Sequence, residues 1–161
     1  MVDTEKINFL TQKIIMNTSI LADKFELTEL DNKLFMYTDA KQWQQLLDEV
    51  FTEKVWFDMT SARGPAQEMA SSAICAAWKE GLASLDTVHH QAGHYLINVN
   101  GDKATIYGYA VAYHYKKAAT KGQSRSFIGS YDLEAVRADD GWRLSQFKYN
   151  LKYIDGNASL E

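Results

Sequence analysis

Hydrophobic residues along this chain change their spacing once, near residue 86. Before that point they recur at three- and four-residue intervals; after it they alternate. Ile7, Leu10 and Ile14 mark a short amphipathic helical leader over residues 4–20. Leu27, Leu30, Leu34 and Tyr37 form the apolar stripe of a firmer helix over 26–39. Trp43, Leu46, Leu47 and Val50 predict a second short helix over 41–51. "KVWFDM" (54–59) reads as a strand and "SARGPAQ" as a loop punctuated by Gly64 and Pro65. "ASSAICAAWKEGL" reads as a third helix, with Ser71 or Ser72 as its cap and Gly81 as its stop.

The alternating half predicts strands over 90–99, 103–117, 124–138 and 142–154. Between them, "NGD" at 100–102 is a strong hairpin signal, because Asn-Gly readily takes the positive φ angles of a tight turn, and "DDG" at 139–141 makes another. Helices followed by an antiparallel meander give an α+β plan in which one helical layer covers one face of the sheet. If the sheet curls, that layer encloses a pocket. On 103–117 one face carries Ala104, Ile106, Gly108, Ala110, Ala112 and His114, small residues that leave room beside them. The other carries Thr105, Tyr107, Tyr109, Val111, Tyr113 and Tyr115. Turned away from the helices, this aromatic row is a large exposed patch and reads as a homodimer interface.

Composition narrows the class. A chain of 161 residues, 46% hydrophobic and with one proline, is a single domain with a real core. Its formal charge of −4 and lack of a basic run speak against a nucleic-acid surface or an anionic-membrane patch. Cys75 has no second cysteine to pair with. The N-terminus has acids where a signal peptide has positive charge, and no stretch reaches the length of a membrane span. The expected location is the cytoplasm.

Three of the four histidines fall in "HHQAGH", residues 89–94. On a regular strand His89 and His90 point to opposite faces, while His90 and His94 share a face about 13 Å apart at ~3.3 Å per residue. That separation is too large for one metal, and no carboxylate-rich motif accompanies the cluster, so no metal is expected. A bulge at Gly93 would alter the spacing.

Three segments carry a family resemblance: "YTDAKQWQQLLDEVFTEKVWFDM", "AAWKEGLASLDTVHHQAGHYLINVNGDKATIYGYAVAYH" and "GSYDLEAVRADDGWRLSQFKYNLKY". Over residues 24–154 the chain resembles SnoaL-like proteins of the NTF2-like superfamily, with 1–22 as a leader. The resemblance implies a cone: a strongly curved mixed or antiparallel sheet, wrapped by three to four helices around a deep pocket. Within the superfamily the chain is most similar to scytalone dehydratase and bile-acid 7α-dehydratase. Their catalytic Asp–His pair falls on Asp39 and His90, a second pocket histidine on His114, and two polar strand residues on Ser130 and Asp132. The tyrosines of those enzymes fall on Leu34, Thr38 and Met59, which lack a phenol. Trp56, Met59, Met69, Trp78 and Phe147 are the apolar candidates for the substrate wall.

A carboxylate bonded to one imidazole nitrogen leaves the other nitrogen basic and aimed. The expected activity is therefore that of a cofactor-free dehydratase or isomerase on a small hydrophobic hydroxy-carbonyl compound. The alternatives are a non-catalytic small-molecule binder, or an assembly subunit similar to the small subunit of ring-hydroxylating dioxygenases.

Overall fold

The computed structural model describes residues 4–161. Helix α1 (Thr4–Asp39) is followed by a short turn of helix α2 (Trp43–Gln45), which widens into a π-type turn at Leu46–Val50. Strand β1 (Phe51–Asp58), a 3₁₀ turn (Thr60–Ala62), strand β2 (Ala66–Ala70) and helix α3 (Ser71–Gly81) complete the first half. The second half is β3 (Thr87–Asn100), β4 (Lys103–Tyr115), β5 (Ser124–Ala138) and β6 (Gly141–Gly156). The six strands form one open mixed sheet in the order β2-β1-β6-β5-β4-β3. Only β1 and β6 run parallel, the other neighbours antiparallel. The architecture is α+β, as the change of period predicts.

Several local expectations are corrected. The leader and the following helix are one continuous α1, with nothing at residues 21–25 to stop it; residues 1–3 of the expected leader lie outside the described residues. Its first turns are not covered: Ile7, Leu10 and Ile14 are exposed, whereas Leu27, Leu30 and Leu34 are buried in the core. The "SARGPAQ" loop ends in β2, which pairs with β1 from Lys54↔Ala70 to Asp58↔Ala66. Helix α3 is preceded by Ala70 without a side-chain cap, and the Ser71 hydroxyl donates instead to the Glu53 carbonyl at 3.2 Å. No described helix is long and apolar enough to cross a membrane.

The face assignment of β4 holds. Ala104, Ile106, Ala110, Ala112 and His114 are buried, while Tyr109, Tyr113 and Tyr115 are exposed on the other face. Strand β3 departs from simple alternation. Gly93 pairs with Tyr109 and Leu96 with Tyr107, so His94 and Tyr95 together oppose Gly108. This is a bulge, and His94 takes a positive φ of 58° within it. The extra residue inverts the parity of the strand. His94 therefore does not share a face with His90: it lies outside with its ring 5.9 Å from that of Tyr109. Tyr95 turns in, its ring lying against Gly108, where a Cβ would stand 2.8 Å from it. The Tyr95 hydroxyl donates to Asp31, a fully buried carboxyl of α1, at 2.5 Å. Burial pushes the Asp31 acid up to about 6, against the lowering effect of that hydrogen bond.

Alternation also decides β5. Tyr131, Leu133 and Ala135 are buried in the main core, so Ser130 and Asp132 project from the opposite face. Ser130 is buried there beneath its neighbours, and Asp132 accepts a hydrogen bond from Asn150 Nδ2 at 2.7 Å. A bulge at Ser145 brings both Leu144 and Phe147 inward on β6. Cys75 lies buried among core residues, and burial raises its thiol to about 11, which keeps it protonated and unreactive at neutral pH.

Candidate active site

The site begins where α1 stops. Lys41 adopts the left-handed conformation at φ 56°. The Gln42 N–H reaches back to the Tyr37 carbonyl at 2.8 Å and the Lys41 N–H to Thr38 at 3.1 Å. This hydrogen-bond pair closes the helix and makes Asp39 its last helical residue. A carboxylate at this end faces the negative pole of the helix dipole, so it needs donors. Residue 90 supplies two. The His90 backbone N–H donates to Asp39 Oδ2 at 2.8 Å, and His90 Nδ1 lies 2.6 Å from Oδ1. Asp39 thus does not cap the following helix, which is preceded by Gln42 without a side-chain cap.

A carboxylate only accepts hydrogen bonds, so the proton of the neutral ring sits on Nδ1 and Nε2 keeps its lone pair. Phe35, one turn earlier on α1, stacks on the His90 ring at 5.0 Å and an interplanar angle of 28°. Helix end, backbone bond and stacked ring therefore fix the imidazole in orientation and in tautomer. His89 stands on the opposite face, exposed, with Nδ1 3.7 Å from Asp39 Oδ2.

His90 lines a partly open cavity of about 240 Å³ between α1, α3 and the inner face of β4–β6. The lining is almost wholly apolar. Trp78, Phe147 and Tyr131 pack edge to face along one wall, and Met59 and Ala62 follow β1. Five of the residues expected at this site therefore line it: His90, His114, Met59, Trp78 and Phe147. Asp39 stands behind His90. Four do not line it: Trp56 is 47% exposed on the outer face of β1, Met69 packs against the core from β2, and Ser130 and Asp132 are on the outer face of β5.

Leu34, Thr38 and Met59, where the related dehydratases carry phenols, all face the cavity. The Thr38 hydroxyl is already committed to the Leu34 carbonyl at 2.7 Å. Two phenols not expected here line it instead, Tyr131 from β5 and Tyr149 from β6. The Tyr149 ring lies against Gly129, where a Cβ would meet it at 2.6 Å, and its buried hydroxyl has no hydrogen-bond partner among the described residues. Burial raises this phenol to about 12, so it stays protonated. The sequence signal for both was the inward run of Tyr131, Leu133 and Ala135 and of Phe147 and Tyr149.

The second imidazole differs from the first. His114 is buried, and its Nδ1 lies 3.2 Å from Nε of Arg125, the residue opposite it in the β4–β5 ladder. Its basicity is pushed down to about 4, first by burial, then by the charges of Arg125 and His90, with Asp39 opposing. At neutral pH it is an uncharged ring. No group of three His, Cys, Asp or Glu side chains able to hold a metal occurs among the described residues.

Known proteins share this fold. The SnoaL-like domain family matches residues 19–148. A protein of Kribbella flavida, Kfla4162, is 30% identical over 88% of this chain and 97% of its own, with a TM-score of 0.83. A protein of Novosphingobium aromaticivorans, provisionally described as a scytalone dehydratase, superposes with a TM-score of 0.76 at 13% identity, covering 88% of this chain and 91% of its own. A hexachlorocyclohexane dehydrochlorinase of Novosphingobium barchaimii does so with a TM-score of 0.72 at 14% identity, covering 88% and 94%. These last two likenesses bear on the fold. No curated protein matches the chain. With the matched span running from the middle of α1 into β6, across the Asp–His pair and every residue lining the cavity but Tyr149, the chain belongs to the SnoaL-like domain family.

Proposed function

We propose that this protein is a cofactor-free lyase or isomerase acting on a small, largely apolar hydroxy-carbonyl compound, with Asp39 and His90 as its general base. The observation that carries this reading is the two-point grip of Asp39 on His90, at 2.6 and 2.8 Å, on a ring that lines an apolar cavity. His90 Nε2 takes a proton from the carbon next to the carbonyl, and the electron pair moves onto the carbonyl oxygen. A neutral His114 donates a hydrogen bond to that oxygen. Collapse of the enolate expels the β-hydroxyl, which leaves as water with the proton held on His90. Return of the proton to carbon instead gives isomerisation. General-base assistance of this kind contributes about 10²–10⁴-fold, and one placed oxyanion donor about 10²–10³-fold. The structural neighbours named dehydratase and dehydrochlorinase support the reaction class, since both names denote eliminations.

A non-catalytic binder is the second reading. It is favoured by Leu34, Met59 and the committed Thr38 hydroxyl, which leave few free donors in the cavity. Both readings carry the proposal that two copies associate through the outer face of β4. One experiment separates them: exchange of the α-protons of α-tetralone in heavy water, followed by proton NMR. The enzyme accelerates exchange, and Asp39→Asn and His90→Gln abolish the acceleration. Exchange at one rate in all three proteins sinks the catalytic reading. Tetralone bound equally by all three, without exchange, leaves the binder.

A further inference from the structure

Arg125 is the second residue of β5 and the direct cross-strand neighbour of His114. Strand parity puts both on the inner face, since Phe127 from the same face lines the cavity. A cation on this face needs a reason. Its contacts give one. Arg125 Nε donates to His114 Nδ1 at 3.2 Å, and Nη1 donates to the carbonyl of Ala158 at 2.6 Å. The guanidinium carbon sits 5.0 Å from the centroid of Phe127, whose ring is itself 5.0 Å from that of His114. The ring of His114, the guanidinium and the ring of Phe127 form one packed unit.

A guanidinium has five donors and no acceptor. His114 Nδ1 must therefore present its lone pair, and the single proton of the neutral ring sits on Nε2. Protonating Nδ1 would set N–H against N–H beside a fixed positive charge. The charged and titratable groups facing His114 are Arg125 from β5, His90 from β3 and Asp39 from α1, and the first two oppose a second proton. The Asp39–His90 pair has the reverse arrangement, with a carboxylate holding the proton on Nδ1. The cavity thus contains two imidazoles of opposite tautomer, one offering a lone pair from Nε2 and the other an N–H.

We propose that Arg125 is a positioning residue that holds His114 as the neutral Nε2–H tautomer, and that the Ala158 carbonyl holds Arg125 in place. The latch belongs to a segment outside the matched family span of 19–148. That segment is itself anchored. The Asn157 N–H donates to the Ser124 carbonyl at 3.0 Å, Asn157 Oδ1 accepts from the Leu160 N–H at 3.2 Å, and Leu160 is buried with Leu85, Val88 and Ala119. The end of the chain therefore reaches the cavity through one arginine. The inference takes from the proposed function only that His114 is the donor to the substrate oxygen.

Nitrogen-15 NMR of histidine-labelled protein tests it without any turnover, the His114 signals being assigned with His114→Gln. The expected wild-type spectrum shows an Nε2–H ring that does not titrate between about pH 5 and 8. In Arg125→Met the His114 ring is expected to exchange between tautomers and to titrate closer to the ordinary histidine range. A wild-type His114 that carries its proton on Nδ1, or that gains charge in this range, overturns the proposal with no variant needed. So does an Arg125→Met spectrum identical to wild type. If Asp39→Asn and His90→Gln still exchange tetralone at the wild-type rate while the tautomer behaves as expected, the catalytic reading fails and the role of Arg125 on His114 stands.

Discussion

Replacing Asp39 by Asn tests the proposed base directly, because the two side chains have nearly the same shape. Asp39 accepts two hydrogen bonds from residue 90, one from the ring and one from the backbone. Asn has one acceptor oxygen and one amide donor, so it cannot serve both. If its oxygen keeps the backbone N–H, its amide faces Nδ1, which must then be unprotonated, and the ring proton moves to Nε2. The base becomes a donor. If the amide turns the other way, two N–H groups confront each other at the backbone. The same tautomer error in a serine-protease triad costs about 10⁴-fold in turnover, and a loss of that order is expected here. The stability cost is smaller. Losing a charge-assisted hydrogen bond costs about 1.5–3 kcal/mol. Removing a negative charge from a helix C-terminus returns about 0.3–1 kcal/mol. The pair is partly screened, with Asp39 18% exposed, so the net destabilisation is about 1–2 kcal/mol. The assay is α-proton exchange by NMR beside urea denaturation of both proteins. Asp39→Asn with undiminished exchange refutes the dyad. Asp39→Asn that fails to fold is met by His90→Gln, which keeps the helix end intact and is expected to lose the same acceleration.

Three further outcomes are expected of other residues. Asp31, raised to about 6, is protonated more readily folded than unfolded, so its contribution to stability is full below about pH 4 and is lost as pH climbs through 6. The rise from 3.8 corresponds to about 3 kcal/mol. Urea titrations of Asp31→Asn against wild type are therefore expected to favour the variant by about that much more at pH ~7.5 than at ~4; a constant difference contradicts the assignment. Tyr149→Phe removes a buried hydroxyl without a partner and is expected to raise stability by about 1 kcal/mol, read as a higher Tm; a lower Tm would mean the hydroxyl has a partner. Tyr113→Glu puts a charge in the exposed tyrosine row of β4 and is expected to convert a dimer to a monomer in light scattering. A wild-type monomer refutes that interface.

The sequence makes the layers of this fold readable, and the places where it misleads have local causes. Alternation on β4 sorts its two faces correctly, because a paired central strand has no freedom to slip. On β3 one inserted residue inverts everything beyond Gly93, and nothing in "AGHYL" except the glycine announces it. The helix α1 reads as two because the exposed stripe of Ile7, Leu10 and Ile14 does not run on into the buried one, which begins only at Leu27. β2 is hidden because a five-residue edge strand after Gly-Pro has few apolar positions to show. At the site, the family correspondence names Asp39 and His90, which the fold brings into hydrogen-bond contact, and Ser130 and Asp132, which the inward parity of Tyr131 and Leu133 turns to the outer face. Arg125 was not legible, since its meaning depends on a cross-strand partner and on a carbonyl 33 residues away.

The grip on His90 uses the end of a helix and a main-chain amide, neither of which belongs to the hydrocarbon wall. Leu34 and Met59 shape the hollow and supply none of the hydrogen bonds of that grip. A lineage with this scaffold is free to recarve the chamber for new guests at those two positions while the hold of Asp39 on His90 stays in place.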